Sequence, residues 1–322
     1  MHLRIPFLYR NLKMEGVMEV GRIRKGELPS VVEIWRESFR GELAQRGADL
    51  GNIAPLFRAF LSLRRLPLWV LHRLGVPVEV WVLRMGGRPV GAVGQIGCRV
   101  PYIIGLVVKR EGRELRLVRL LEQGVAAGLR AAGFPLMRAL VPAEHLIAKL
   151  AIKLGWEAIG SITQFVLPLQ GLSSDARSRL PSVRSISFRR ERLLACGFTR
   201  RRDIKGLLAL DRNYGSPVVG ILGFRERVFG VEEKGELLGL VRVSWNAYQP
   251  VAFMHVPYLR EAEAYWSLLA HATRFFRGLG KAELHLDLWE EEGDLREGLR
   301  KMGAREAGRW IYLVKRLGPP FL

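Results

Sequence analysis

The 322-residue sequence predicts an α/β fold with a mixed sheet, formed twice along the chain. Compact domains usually contain about 100–200 residues, and the 49% of hydrophobic residues is enough for two cores. A shift of 148 residues (235 − 87) superimposes one half of the sequence on the other, without a gap, over about 70 residues. The shift pairs Gly87 with Gly235, Gly91 with Gly239, Val93 with Val241, and the Lys-Leu-Gly at 153–155 with the Lys-Met-Gly at 301–303.

The first copy shows strand and helix patterns in a fixed order. Apolar runs around the Gly86-Gly87 turn predict a hairpin, and helical spacing of apolar residues follows a third strand. The predicted strands are 79–83, 90–97, 101–108, 136–141 and 162–167, and the predicted helices are 112–131 and 143–153. Two further helices, 27–43 and 55–74, precede the hairpin.

The second copy repeats this order with a shorter lead-in helix at 202–214. Its predicted strands are 228–231, 237–244, 251–256, 283–288 and 309–314, and its predicted helices are 261–276 and 295–301. A stretch rich in Ser, Pro and Gly lies between the copies and reads as a linker. The predicted domains are therefore 1–170 and 195–322, joined by a linker at 171–194.

The chain is strongly basic, with 51 Lys and Arg against 31 Asp and Glu, a net charge of +20. Such a charge favours acidic partners, among them nucleic acid and phosphate-rich cofactors. A second interpretation needs no acidic partner, because only 4 Asn and 6 Gln occur and the basic residues are mostly Arg, a composition typical of proteins that withstand heat. The arginines are mostly dispersed along helices, with one run at 200–202.

The sequence gives no signal for a membrane, a metal or a disulfide framework. The N-terminal stretch lacks the apolar core of a signal peptide, and no run of 18 uncharged apolar residues occurs. Two cysteines, Cys98 and Cys196, favour a reducing compartment. We therefore expect a cytoplasmic protein with no metal; the histidines are scattered singly, and no oligomeric state is predicted.

Order and motifs together resemble the GNAT superfamily of acyl-CoA N-acyltransferases. The resemblance covers about residues 18–170 and 195–316. Its motifs are the Gly-x-x-x-Gly hairpin at 87–91 and 235–239, and the Lys-[Leu/Met]-Gly before each last strand, followed here by Trp156 and Ala304 where that family usually has Phe. The resemblance implies two GNAT-like domains in tandem and acetyl-CoA or another acyl-CoA as co-substrate.

In proteins of that family, pantetheine lies where the third strand diverges from the next, and pyrophosphate binds the following helix start, where free N–H groups favour anions. The resemblance thus implies a cofactor site in the first copy at Leu106, Val107, Val108, Gly112, Arg113, Glu114, Leu115 and Arg116. Glu114 and Arg116 depart from the small residues of the family pattern. The second copy has Glu261 and Glu263 at its helix start, which would repel a pyrophosphate, so the first copy is favoured.

The catalytic pair that the family often has, an Asn and a Tyr on the last helix, is absent from both copies. Ala151 and Leu299 stand at the Tyr positions and cannot donate a proton. His255, on the third strand of the second copy, is the candidate general base, because an imidazole pKa near 6.5 suits acceptance of an amine proton. Under the 148-residue shift, the counterpart of His255 in the first copy is Val107. The alternative interpretation is that His255 only packs in the core or at an interface.

Two functions remain open from the sequence. The first is an N-acyltransferase that moves an acyl group directly from acyl-CoA to an amine on a small molecule or a protein. The second is a GNAT-like platform with decayed active sites that binds nucleic acid, through its basic surface, or a protein.

Overall fold

The structure is a computed structural model that describes residues 18–45, 78–97, 100–109, 115–144, 146–170, 182–186, 220 and 223–318. The chain divides into two compact units. Unit 1 takes its described residues from Met1–Ala139 and Lys315–Pro320, and unit 2 takes its own from Leu140–Val314. None of the described helices is long and apolar enough to cross a bilayer.

Unit 1 is built on strands in their sequence order. They are β1 (Met18–Arg22), β2 (Val78–Met85), β3 (Arg88–Ile96), β4 (Tyr102–Val108) and the start of β5 (Leu136–Pro142). The first four pair antiparallel with their neighbours, whereas β5 is parallel to β4. Helices α1 (Leu28–Gln45) and α2 (Leu115–Ala131) pack on these strands.

Small residues decide how closely unit 1 packs. Gly86 and Gly87 have φ angles of 57° and 78°, so the β2–β3 hairpin turns through a conformation that other residues rarely adopt. On α2, a Cβ added to Gly124 would lie 2.4 Å from Val20, and one added to Gly128 would lie 2.2 Å from Trp81. Alanine at either position would therefore push α2 away from β1 and β2.

Among its described residues, unit 2 contains the remaining strands and three helices. The strands are β6 (Glu157–Pro168), β7 (Val183–Ser185), β8 (Phe224–Glu233), β9 (Glu236–Asn246), β10 (Val251–Met254), β11 (Tyr258–Leu259), β12 (Glu283–Trp289) and β13 (Arg305–Arg316). The helices are α3 (Leu146–Lys153), α4 (Glu263–Gly278) and α5 (Gly293–Lys301). The strand order is β13-β6-β12-β10-β9-β8-β7, and β11 pairs with β9.

The last strand of the first copy, β6, lies inside unit 2. It pairs antiparallel with β12 on one side and with β13 on the other, with Leu286 opposite Phe165 and Trp310 opposite Ile162. Phe165 and Leu167 are fully buried among the apolar residues of β9, β12 and α4. The compact units therefore do not divide the chain at the predicted boundaries of 170 and 195.

The chain returns to unit 1 after β13. The Lys315 ammonium lies 2.6 Å from the buried Glu122 carboxylate of α2, and Leu317 N donates to Pro135 O at 2.7 Å. Arg130, also on α2, donates to Leu317 O. Both copies thus give their last strand, in whole or in part, to the other unit.

The two copies match element by element. Helices α2 and α4 begin 148 residues apart, as do β6 and β13, and each hairpin has its bulge at the same place, after Leu83 and after Val231. The second copy also has the short β7, paired with β8, within the stretch that the sequence predicted as linker. The matched positions confirm two similar α/β domains in tandem.

The third strand departs from the 148-residue shift. In copy two, β10 ends at Met254, short of the predicted strand 251–256, and β11 begins at Tyr258, after Pro257, which has no N–H to continue a ladder. Gly94 pairs with Ile104 in the first copy, whereas its counterpart Arg242 accepts a hydrogen bond from His255 N at 2.9 Å. The structural counterpart of His255 is therefore Ile104, and the predicted counterpart Val107 is wrong.

Candidate functional site

His255 lies at the point in unit 2 where two parallel strands diverge. β10 pairs with β12 through Val251–Met254, opposite Glu283–Leu286. After Leu286, β12 continues to Trp289 and, among the described strands, pairs with β6 only. After β10, the chain pairs again with β9 as β11. His255 comes directly after Met254, the last residue of β10 that pairs with β12, and its side chain is 19% exposed.

Four side chains form a continuous polar chain across this face of the sheet. Ser244 Oγ lies 2.7 Å from His255 Nε2, and His255 Nδ1 lies 3.9 Å from Asp287 Oδ2. Gln164, directly opposite Asp287 on β6, donates its Nε2 hydrogen to Asp287 Oδ1 at 3.0 Å. The residues therefore come from β9, the end of β10, β12 and β6. We call them the polar chain.

The strand pattern explains why the four residues share a face. Side chains alternate along a strand, so Val243, Met254 and Leu286 enter the core under α4, whereas Ser244, His255 and Asp287 point to the opposite face. The Phe253 ring lies nearly parallel to the His255 ring, with 6.4 Å between centroids. His285 lies next to Phe253 and 3.4 Å from the carboxylate of Glu283.

The first copy has no polar chain. By strand register, the counterparts of His255, Asp287, Arg242 and Ser244 are Ile104, Leu140, Gly94 and Ile96. The same strand positions are apolar or glycine in the first copy and polar in the second, so the fold itself does not require polar residues there. Groups capable of proton transfer at this place are therefore a property of the second copy.

Tyr265, in the first turn of α4, is a buried phenol that sequence reasoning missed. It is 1% exposed, and its hydroxyl has no hydrogen-bond partner among the described residues. Burial raises the pKa of Tyr265, and the negative charge of Asp287 raises it further, so the phenol stays protonated. An apolar pattern with one Tyr at a helix start reads as core in sequence, which is why it was overlooked.

The predicted cofactor residues of the first copy are described in part. Val107 and Val108 are buried, and Leu106 is partly buried. β4 pairs with β5 at Tyr102 and Ile103 only, so β3 is the only described strand that pairs with residues 104–108. This divergence is the feature on which the pantetheine prediction depends.

Gly112, Arg113 and Glu114 lie outside the described residues. Leu115, at the start of α2, is 58% exposed, and Arg116 is partly buried. The structure places the predicted cofactor residues in unit 1 and His255 in unit 2, so it does not bring them together within one unit.

The β4 strand is bulged where it leaves β5. Gly105 has φ +59°, and its carbonyl accepts a 2.8 Å hydrogen bond from the Trp35 indole of α1. The bulge adds a residue to β4 between the pairs Gly94–Ile104 and Ala92–Val107. Trp35 therefore fixes the strand conformation that precedes Leu106.

In the second copy, the start of α4 has little free donor capacity. Arg260 N and Glu261 N both donate to Leu238 O, and Ala264 N donates to Glu261 O at 3.2 Å. Glu261 and Glu263 add negative charge there. Within the described ranges, no group of three or more His, Cys, Asp or Glu could hold a metal ion.

Comparison with known proteins identifies the fold. No protein-family model matches the chain, and no curated protein is similar in sequence. Among solved structures, a GCN5-related glucosamine N-acetyltransferase region of a fungal multi-domain GH3 β-N-acetylglucosaminidase has a TM-score of 0.57 at 13% identity, covering 95% of this chain and 39% of that one.

Two neighbours are closer to this chain in length. A candidate acetyltransferase from Pyrococcus horikoshii has a TM-score of 0.56 at 12% identity, covering 98% of this chain and 94% of that one. A GCN5-related N-acetyltransferase from Sphaerobacter thermophilus has a TM-score of 0.51 at 13% identity, with 94% and 97% covered. Identities this low show a shared fold and not a shared reaction. The chain has the GNAT fold.

Proposed function

We propose that this protein is an acyl-CoA-dependent N-acyltransferase whose chemistry takes place at the polar chain of the second copy. The observation that carries the proposal is the contact of His255 with Ser244 and Asp287 at the divergence of β10 and β12. The fold supports acetyl-CoA or another acyl-CoA as the co-substrate and an amine as the acceptor.

The polar chain can accept an amine and remove its proton. With the tautomer in which His255 Nε2–H donates to Ser244 Oγ, Nδ1 is the basic nitrogen and faces Asp287. The 3.9 Å between Nδ1 and Asp287 is too long for a hydrogen bond but places both groups around one incoming ammonium. Asp287 holds the ammonium, His255 takes its proton, and Gln164 keeps the carboxylate in position.

The freed amine then attacks the thioester carbonyl. A C–N bond forms, the C–S bond breaks, and CoA leaves as the thiolate. The nitrogen, now bonded to the acyl carbon, loses a second proton, which goes to the thiolate and gives free CoA thiol. His255 releases the first proton to solvent, so the imidazole is restored for the next cycle. In this scheme no acyl group is transferred to the protein.

Two variants test the role of His255. General base catalysis contributes about 10²–10⁴-fold, so His255→Gln should lower kcat by at least about 10²-fold. His271→Gln, on the far side of the sheet in α4, is the matched control and should keep kcat within about two-fold. Both rates come from release of free thiol in the presence of acetyl-CoA and a panel of primary amines. Equal rates for the two variants would refute the assignment.

Amide hydrogen exchange with and without acetyl-CoA would locate the acyl-CoA site. The first copy is the predicted site, at 106–108 and 112–116, and the divergence of β10 from β12 is its equivalent in the second. Chemistry at the polar chain requires acyl-CoA at the second of these places, so amides at 255–259 should become protected when acetyl-CoA is added, and the melting temperature should rise. Protection at 104–108 alone would support the predicted site in the first copy and contradict chemistry at the polar chain. Protection of neither segment, with no shift in melting temperature, would contradict acyl-CoA binding. Salt-sensitive retention of nucleic acid in that case would favour the binding platform instead.

A further inference from the structure

Arg242 is a buried cation on the same face as the polar chain. It lies on β9 directly across from His255, whose N–H donates to Arg242 O at 2.9 Å. Arg242 is 4% exposed, and its Nε and Nη1 atoms have no hydrogen-bond partner among the described residues. Arg242 forms an ion pair with Glu226, with 4.0 Å between Nε and Oε1, beyond hydrogen-bond length.

A guanidinium in this state is costly to keep. Burial removes the water that hydrates the guanidinium. Donors that then have no acceptor do not regain, through hydrogen bonds, the free energy lost with that water. A planar guanidinium presents parallel N–H groups that match the two oxygens of a carboxylate. A ligand carboxylate would therefore satisfy the donors that the described residues leave without an acceptor.

The fold itself does not need this arginine. The counterpart in the first copy is Gly94, where an added Cβ would lie 2.9 Å from Ile104. The two copies therefore use opposite solutions at one position: close packing against an apolar residue, and a buried cation beside a histidine. Only the copy that has His255 has the cation.

We propose that the acceptor amine carries a carboxylate, and that Arg242 binds this carboxylate while the amine lies between His255 and Asp287. The acceptor is thus of the amino-acid class, with the amine and the carboxylate on one small molecule. This inference rests on the proposed acyltransferase function and names its substrate class.

The test uses matched acceptors that differ only in the carboxylate. Glycine against glycinamide, and 4-aminobutyrate against butylamine, give the selectivity as a ratio of kcat/KM values in the full-length protein. A charged hydrogen-bonded contact supports a preference of about 10- to 100-fold for the carboxylated member of at least one pair. Arg242→Gln should bring that ratio to about one, acting through KM. Arg227→Gln, an exposed arginine on β8, should leave the ratio as in the wild type.

Two results would overturn the proposal. One is a wild-type ratio near one for both pairs, and the other is a ratio that Arg242→Gln does not change. Should Arg242→Gln unfold because Glu226 is left as a buried charge, the double variant Arg242→Gln/Glu226→Gln removes both charges and the same ratio decides. Acyl transfer to no amine at all would instead defeat the proposed function, so the two failures are distinguishable.

Discussion

A fragment that starts at the second copy should not fold, because its sheet lacks β6. We consider residues 182–322, which contain every described strand of unit 2 except β6. Removal of β6 takes away Ile162, Phe165 and Leu167, which are at most 1% exposed. A large apolar side chain contributes about 1.5–3 kcal/mol on burial, so the three together account for about 5–9 kcal/mol. Whole domains are stable by about 5–15 kcal/mol, so the loss is comparable to the entire stability of the unit.

Urea denaturation followed by circular dichroism checks this expectation. Residues 140–322, which include β6, should unfold cooperatively, whereas residues 182–322 should show no cooperative transition. A synthetic peptide of residues 155–170, added to the shorter fragment, should restore the transition, because it supplies the missing strand in trans. A cooperative transition of the shorter fragment alone, at the same midpoint as the longer one, would refute the placement of β6 in unit 2.

Three further predictions concern buried polar groups of unit 2. Tyr265→Phe should raise the free energy of unfolding by about 1 kcal/mol, since it removes a buried hydroxyl without a described partner; a decrease would reveal a partner. Lys281→Met should lower it by about 2–4 kcal/mol, because the buried ammonium donates to the carbonyls of the turn at 246–249, while the exposed Lys301→Met should change it by less than about 0.5 kcal/mol. Burial, with Arg274 adding to it, lowers the pKa of His271, so the unfolded chain takes up the proton first; stability should fall as pH falls below 6.5, and less so in His271→Gln, measured by urea midpoints from pH 7 to 5.

Local patterns predicted most of the strands and helices. The repeat allowed the elements of the second copy to be predicted from those of the first. Gly87 and Gly235, for example, lie in the turns of equivalent hairpins, and both have positive φ. The helix predicted at 261–276 is α4 (Glu263–Gly278), since apolar spacing identifies its buried face. The third strand was predicted as one run, 251–256, whereas β10 ends at Met254 and β11 begins only after Pro257, because the apolar pattern through Val256 gives no sign of the earlier end.

The placement of β6 in unit 2 could not be predicted from sequence. β6 and β13 have the same length and follow the same Lys-[Leu/Met]-Gly motif, so either pattern suits either unit. Which strand pairs with β12 depends on contacts more than 100 residues apart in the chain. Such contacts leave no local signal in the sequence. The predicted boundary at 170 therefore marks the end of the first repeat and not the edge of a compact unit.

The candidate site was predicted in one residue of four. His255 was identified because histidine is rare in this chain and has a suitable pKa. Ser244 and Asp287 are single polar residues in alternating strands, a pattern that normally marks a solvent-facing side. Gln164 belongs to the other copy. Only the register of β9, β10, β12 and β6 shows that these residues meet.

The return of the chain to unit 1 after β13 has a consequence for folding during synthesis. Lys315 and Leu317 complete the packing of α2, yet they emerge from the ribosome about 190 residues after Glu122. At about 5–20 residues per second, α2 waits roughly 10–40 s for these partners. Over that interval the buried Glu122 carboxylate lacks its cation, so the N-terminal half of the nascent chain should remain open to chaperones until translation is nearly finished.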